Sequence, residues 1–520
     1  MAKRKLPNIL LVVLDTQRVD RLSCYGYPRP TSPSLDRLAE QGVLFEQAVS
    51  PAQWTIPAHA SIFTGQYPLL HQTVQSDRAL PAELPTVTEI LAKNGYLTFG
   101  FCNNPLVGVL NNGLRRGFLR FFNYASFMPD IVPSPKVASN LIARAREKIR
   151  GGIQYIVRDI ERQFGRSERL LALSQESFFV PFWSRLGNFK GDVIKSISDM
   201  IRYVRAYHGD EQPYFIFANL METHLPYWPA KPFVRKFAAW VSQDKAARAF
   251  MSRFNTQAYR WATPVINPLT EMEAAALNAM YDAEVAFQDH HLGRLFDALD
   301  DLHAWDDTLV VVVADHGEGF GEHNYMGHAF TLFQEVVHVP LVIHFPGGEL
   351  AGARVKPPVS TRRIFHTILD LAGIPYDEPA GSVDELSLRA AGYERRSREE
   401  LVLSEAYSPT NFVSVIERRD PQILIPYQCL SLWRAAYDYN HDKLIAVDDR
   451  PDKFFHLITD PWERINLVRD SARVPALFGQ LSLFIRNQQK YAKAAGAPDA
   501  YTADEENDIR EHLRALGYMD

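Results

Sequence analysis

Near opposite ends of the chain, two unbroken apolar runs each finish on an acidic residue. Asn8-Ile9-Leu10-Leu11-Val12-Val13-Leu14 leads into Asp15, and Thr308-Leu309-Val310-Val311-Val312-Val313-Ala314 leads into Asp315-His316-Gly317. Val/Ile/Leu runs with no polar alternation predict strands buried on both faces, as in a parallel sheet covered by helices. Strand and helix signals alternate around the first run. Leu35 to Gly42 predicts a short helix stopped at glycine, Val87 to Asn94 a second helix, and Tyr96 to Cys102 a strand followed by an Asn103-Asn104-Pro105 turn. Pro213 to Ala218 predicts a strand, 271–303 a long helix, His338 to Phe345 another strand, and Arg362 to Ala372 a helix ended by Gly373. This rhythm implies an α/β fold: a doubly wound, mostly parallel sheet flanked by helices over residues 1–380. A helical insertion interrupts it at about 120–210, where Val137 to Phe164 has helical periodicity with basic residues on its polar positions. After about residue 380 the pattern loosens into short strands and a terminal helix, which predicts a smaller C-terminal α+β subdomain over 381–520.

Composition narrows the class. A chain of 520 residues, 46% hydrophobic and 22% charged, is ordinary for a globular protein and long enough for a large domain and a small one. The formal net charge of −5 gives no electrostatic reason to expect nucleic acid. Three cysteines, Cys24, Cys102 and Cys429, are too few for a disulfide framework or a zinc cluster, and predict reduced thiols and a cytoplasmic location. The basic start, Met1 to Lys5, imitates a secretion signal, but the apolar run behind it ends at Asp15 and reads as a strand. No stretch approaches the roughly 20 apolar residues of a membrane span. The basic insertion is read mainly as a solvated face, with a lid or weak contact with a membrane surface as alternatives.

Acidic residues just beyond the strands of an open α/β sheet lie at its carboxyl edge, where sites of this architecture form. Asp15, Asp315 and His316 are therefore candidate ligands of one divalent cation, with Ca²⁺, Mn²⁺, Mg²⁺ and Zn²⁺ all compatible with a mixed oxygen and nitrogen set. Between the two runs, Trp54-Thr55-Ile56-Pro57-Ala58-His59 is a candidate nucleophile segment that also reads as a helix start, with Thr55 as an N-cap.

These motifs resemble the sulfatase family of the alkaline phosphatase superfamily. Pro7 to Asp15, Ser23-Cys24-Tyr25-Gly26-Tyr27, Thr31 to Ala39, Ala314-Asp315-His316-Gly317-Glu318, Gly327-His328 through Glu335, His338-Val339-Pro340-Leu341 and Asp460 to Leu467 each match a segment of that family. The resemblance covers nearly the whole chain and implies a metal-dependent ester hydrolase. It also carries departures. Where family members have Cys-x-Pro-x-Arg or a serine version, this chain has Thr55-Ile56-Pro57-Ala58-His59. A threonine cannot become the family's formylglycine aldehyde, because its β-carbon already bears a methyl group. Thr16 replaces a second metal aspartate, and His328 replaces a lysine.

The expected enzyme hydrolyses sulfate or phosphate esters, with a phosphate mono- or diester favoured chemically. Thr55 is the expected nucleophile and a metal contact, and His59, His224 and His328 are expected to bind the anion or protonate the leaving oxygen. Asn103 or Asn104 could add a hydrogen bond to a small-molecule, glycan or lipid ester. A phosphoryl-group transferase, or a binding protein on a sulfatase scaffold, is the alternative.

Overall fold

Seven consecutive buried residues, Asn8–Leu14, form β1 at the centre of the molecule. The computed structural model describes residues 6–125, 130, 132–133, 135, 189–378, 381–393 and 401–494. The remaining strands of the main sheet are β2 (Val43–Phe45), β3 (Leu97–Cys102), β4 (Arg120–Asn123), β5 (Tyr214–Leu220), β6 (Thr308–Val313), β7 (Leu341–His344) and β8 (Ala353–Val355). Their order across the sheet is β8-β2-β7-β6-β1-β5-β3-β4. Every described pairing is parallel except those of β7, which runs against both β2 and β6. The mostly parallel, doubly wound reading holds, with one reversed strand.

The register decides where the site forms. Val13 lies opposite Val313 on one side and Asn219 on the other, and Cys102 lies opposite Asn219. The residues that follow, Asp15, Asp315, and Asn103 with Asn104, therefore emerge along one sheet edge. Helix α1 (Pro33–Gln41) and helix α2 (Thr55–Thr64) cover the sheet, as do α3 (Val87–Lys93), α4 (Val193–Tyr207), α5 (Glu271–Asp301) and α6 (Ile364–Leu371). All ten residues of α2 are buried, and Phe63 packs edge-on against Phe217 of β5 at 5.0 Å. Asp289 of α5 accepts hydrogen bonds from the Ser34 and Leu35 amides, both at 2.9 Å, and so caps α1 from a neighbouring helix.

Three local readings change. Trp54, in extended backbone, is the N-cap of α2, and Thr55 is its first helical residue. Asn103-Asn104-Pro105 is not a plain turn: the Asn104 side chain caps a short helix, Pro105–Gly108. The stretch from His338 to Phe345 is two strands. Pro340, which has no N–H to donate, separates His338–Val339 in a small sheet from β7 in the large one. Cys24 is half-buried, while Cys102 and Cys429 are fully enclosed. The basic helical stretch Val137 to Phe164 lies outside the described residues. Among the described residues no helix is long and apolar enough to cross a membrane.

Beyond residue 400, β9 (Val402–Ala406), β10 (Trp433–Tyr437), β11 (Asp442–Val447) and β12 (Arg450–His456) form an antiparallel meander, followed by α7 (Val474–Ala494). This small sheet is docked onto the segment that precedes α2. The Glu405 amide donates to the Pro51 carbonyl at 2.9 Å, and the Glu405 carboxylate accepts from the Leu69 amide at 2.8 Å. A fully buried ion pair ties the tail to the main body. Lys443 Nζ lies 2.6 Å from Glu463 Oε1 and donates to the Leu332 carbonyl, while Glu463 Oε2 accepts from the Gln334 amide. Burial pushes the Lys443 ammonium below its ordinary pKa and the Glu463 carboxyl above its own, so each keeps its charge only beside the other. Glu463→Ala is expected to lower unfolding stability by about 3–5 kcal/mol by stranding the ammonium, and a Lys443→Met/Glu463→Leu pair to recover much of that loss. Urea denaturation followed by circular dichroism measures both; an unchanged midpoint in Glu463→Ala would contradict the assignment.

Candidate active site

The strand ends bring Asp15, Asp315 and His316 together with no exposed surface on any of them. One ligand atom from each lies within 4.8 Å of the others. What the two carboxylates do with their four oxygens is informative. Asp15 Oδ2 accepts from the side-chain amides of Asn104 at 2.5 Å and Asn219 at 3.2 Å, whereas Asp15 Oδ1 has no partner. Asp315 Oδ1 accepts from the backbone amides of His316 at 2.9 Å and Thr16 at 3.3 Å, whereas Asp315 Oδ2 accepts no hydrogen bond. Each carboxylate thus has one oxygen fixed by hydrogen bonds and one with no hydrogen bond among the described residues; Asp315 Oδ2 lies 3.4 Å from His59 Nδ1 and from His316 Nε2. Burial, and then the Asp15 carboxylate beside it, drive the Asp315 carboxyl well above its usual range. A buried like-charge pair of this kind is costly unless a cation lies between the free oxygens. The donor set fits a divalent metal, which Asp15, Asp315 and His316 could hold.

Local backbone serves this geometry. Thr16 adopts φ 56°, a left-handed conformation unfavourable for a β-branched residue, and so turns its N–H toward Asp315. Its carbonyl accepts from Tyr281 at 2.8 Å, which helps hold the strained turn. Gly317 is required because a Cβ there would strike the Glu335 carbonyl oxygen. His316 Nδ1 faces the Gly317 carbonyl at 2.9 Å and must donate to it, which leaves Nε2 unprotonated on the other side of the ring. Burial, and then nearby His328, lower the His316 pKa well below normal and keep this neutral form. Thr55 Oγ1 lies 3.3 Å from that Nε2. The hydroxyl therefore occurs at the first residue of α2, where free amides and the helix dipole favour an anion.

The predicted histidines divide into two groups. His59 is fully buried behind Thr55. Its Nδ1 donates to the Thr55 carbonyl at 2.9 Å, and its Nε2 accepts from Asn219 at 3.2 Å. Both nitrogens have partners in the chain, and Nδ1 also lies 3.4 Å from Asp315 Oδ2, so His59 touches both the nucleophile segment and a candidate metal ligand. His316, His328 and His224 instead form a row, with ring centroids 4.3 Å and 5.5 Å apart. His328 Nδ1 donates to Glu318 Oε1 at 2.9 Å, and His224 Nδ1 donates to the Leu225 carbonyl at 2.6 Å. Neither Nε2 makes a hydrogen bond among the described residues. Burial opposes charge on both rings, but Glu318 overrides it at His328, whose pKa ends above normal, while that of His224 ends below.

Asn104 is committed to Asp15, whereas the buried Asn103 amide has no partner. Glu322 pairs with Arg18 at 2.8 Å, and His323 lies between Glu335 and the Glu463 carbonyl, so both brace loops beside the site. Asn219 and Glu318 carried no expected role. Asn219 was detectable as a lone polar residue within Tyr214–Leu220, an otherwise apolar buried strand, and Glu318 as a carboxylate two residues beyond His316.

A family model described as Sulfatase matches residues 7–374, the span that contains Asp15, Thr55, His59, His224, Asp315, His316 and His328. The chain belongs to the sulfatase family. As a member of that family it is a hydrolase of sulfuric or phosphoric esters. This sulfatase-family chain is 22% identical over 464 residues to an ulvan-active sulfatase of Formosa agariphila, covering 89% of this chain and 77% of that one. It is 24% identical over 511 residues to a multifunctional alkaline phosphatase superfamily protein of Trinickia caryophylli, covering 89% and 92%. Its fold is similar to the crystal structure of a phosphonate monoester hydrolase of Agrobacterium radiobacter, with a TM-score of 0.62, 20% identity and coverage of 93% and 96%.

Asp315→Asn is expected to abolish stoichiometric divalent metal in the dialysed protein while leaving its circular dichroism unchanged. Asn219→Leu, which frees Asp15 to rotate, is expected to weaken metal affinity about 10- to 100-fold. Elemental analysis and competition with a chelator read both. Full metal content in Asp315→Asn would remove the assignment.

Proposed function

We propose that this sulfatase-family enzyme uses Thr55 directly as its nucleophile and prefers a phosphate mono- or diester to a sulfate ester. One observation carries the reading: Thr55 Oγ1 lies 3.3 Å from His316 Nε2, at the buried start of α2. Asp15, Asp315 and His316 would hold a divalent cation, whose chemistry would be to lower the pKa of a hydroxyl and stabilise negative charge on ester oxygens. Thr55 Oγ1 releases its proton to solvent and forms the new bond to phosphorus as the bond to the ester oxygen breaks. His328 protonates that oxygen from Nε2; its Glu318 partner favours the doubly protonated ring. His59 holds the Thr55 carbonyl, and through it the start of α2, in place. In the second step water attacks phosphorus, the bond to Oγ1 breaks and Thr55 is restored. His224, whose Nδ1 is the donor, offers an unprotonated Nε2 to take the proton of that water.

Ester preference follows from the side chain at position 55. A formylglycine hydrate releases sulfate by breaking its C–O bond and re-forming an aldehyde. Threonine has no second hydroxyl on Cβ, so a threonyl ester must break at sulfur or phosphorus. Attack at phosphorus is the step that bound cations assist through the phosphoryl oxygens.

A matched pair of aryl phosphate and aryl sulfate esters, assayed with one metal at one pH, is expected to give the higher kcat/KM for the phosphate. A preference for the sulfate would overturn the chemical argument. Thr55→Ala is expected to reduce kcat at least about 1,000-fold and Thr55→Ser to keep part of it. Mass spectrometry of the peptide containing Thr55 is expected to show unmodified threonine; an oxidised residue there would defeat the reading independently of turnover.

A further inference from the structure

The Glu222–Pro226 loop that carries His224 is fastened from outside by one side chain that no part of the mechanism above uses. Lys190 lies in the strap that enters α4. Its ammonium donates to the Glu222 carbonyl at 2.5 Å and to the Pro226 carbonyl at 3.1 Å, and pairs with Glu284 Oε1 at 3.0 Å. The two carbonyls flank His224 symmetrically, two residues on either side. Glu284 is itself almost fully buried in α5 and also accepts from the Trp228 amide at 2.7 Å. The three donors of the ammonium are thus matched by three acceptors, two on the loop and one on a rigid helix. The neighbouring residue in the strap, Phe189, places its ring edge-on against the His224 ring at 5.7 Å. Backbone carbonyls in a loop have no intrinsic reason to converge. A point cation within reach of both fixes their separation, and with it the direction of the side chain between them.

We infer that Lys190 is a positioning residue that aims His224 Nε2 at the water that hydrolyses the Thr55 ester. The step is balanced: the water oxygen bonds to phosphorus, its proton passes to His224 Nε2, the Oγ1–phosphorus bond breaks, and the proton is returned to Thr55 Oγ1. The inference rests on the proposed use of Thr55 as nucleophile and His224 as base. Formation of the threonyl ester does not need His224, so kcat/KM for an activated aryl ester, which reports that first step, does not depend on Lys190. Breakdown of the ester does.

The test compares Lys190→Met, Lys190→Arg and His224→Ala on an aryl phosphate. In Lys190→Met, kcat is expected to fall about 30-fold, with KM falling in proportion and kcat/KM within about threefold of wild type. Mass spectrometry of the acid-quenched steady state is expected to show phosphate retained on Thr55. Lys190→Arg is expected to restore part of kcat, and Lys190→Met added to His224→Ala to cost nothing further. A loss of kcat/KM equal to that of kcat, or a loss that persists in the His224→Ala background, would overturn the inference, since either marks general damage. Nitrogen-15 NMR of the histidine rings separates this inference from the functional reading. His224 is expected to lose its single Nδ1–H tautomer signature in Lys190→Met, and an unchanged His224 signal overturns the inference even without turnover. A wild-type protein that turns over no ester but shows the His224 change counts against the proposed function alone.

Discussion

Two carboxylates with no access to water, Asp15 and Asp315, are the constraint around which the rest of the structure is arranged. Their proximity is not a local choice. It follows from the parallel pairing of β1 with β6, which delivers both chains to the same edge in register. The surrounding polar groups then fix which oxygens stay bare. Two side-chain amides from β5 and the end of β3 hold one oxygen of Asp15, and two backbone amides hold one oxygen of Asp315. Hydrogen bonds in so dry an environment are strong, and they leave little freedom for the remaining oxygens. The strained turn at Thr16 belongs to the same arrangement, because a relaxed backbone there would point its N–H elsewhere. Histidine rings complete the array. Each has one nitrogen given to a carbonyl or carboxylate, so its tautomer is a property of the fold.

Much of this was legible in the residues, for a physical reason. Buried parallel strands need continuous apolar runs, and the residue that ends such a run is conspicuous when it is charged. Asp15 and Asp315 stand out on those grounds alone, as does the long helical stretch that became α5. Other features were hidden because their partners are distant in sequence or belong to the backbone. His59 stands out in the nucleophile segment, but its contacts with the Thr55 carbonyl, the Asn219 amide and Asp315 could not be read from the sequence. Asn104 could not be separated from Asn103 until their neighbours were known. The break at Pro340 was visible as a proline, but the apolar run around it hid the change of sheet. Lys190 gave no sign at all, since two of its three acceptors are main-chain oxygens that any sequence would supply.

On the proposed reading, the use of Thr55 in place of an oxidisable residue reaches beyond the choice of ester. A formylglycine has to be made by another enzyme while the chain is accessible. On the proposed reading, this protein needs no such visit: its nucleophile is present once α2 is built against β5. Full burial of α2 is compatible with that, because nothing has to reach the side chain except the ester and the solvent that follows it. The docking of the C-terminal sheet onto Pro51 and Leu69 carries no penalty for maturation and can be as tight as packing allows.

The long reach of one strand pairing sets a schedule for the nascent polypeptide. Asn8 is matched with Thr308 in the sheet, so β1 cannot acquire its neighbour on that side until most of the chain has been synthesised. On the other side it waits for β5, since Ile9 is matched with Phe215. This buried strand is therefore made well before either of the strands that enclose it. A segment of this kind, short, β-branched and uncharged, is prone to pair with other copies while it waits. The register that brings Asp15 beside Asp315 therefore leaves residues 8–14 open to such pairing until residue 313 has been made.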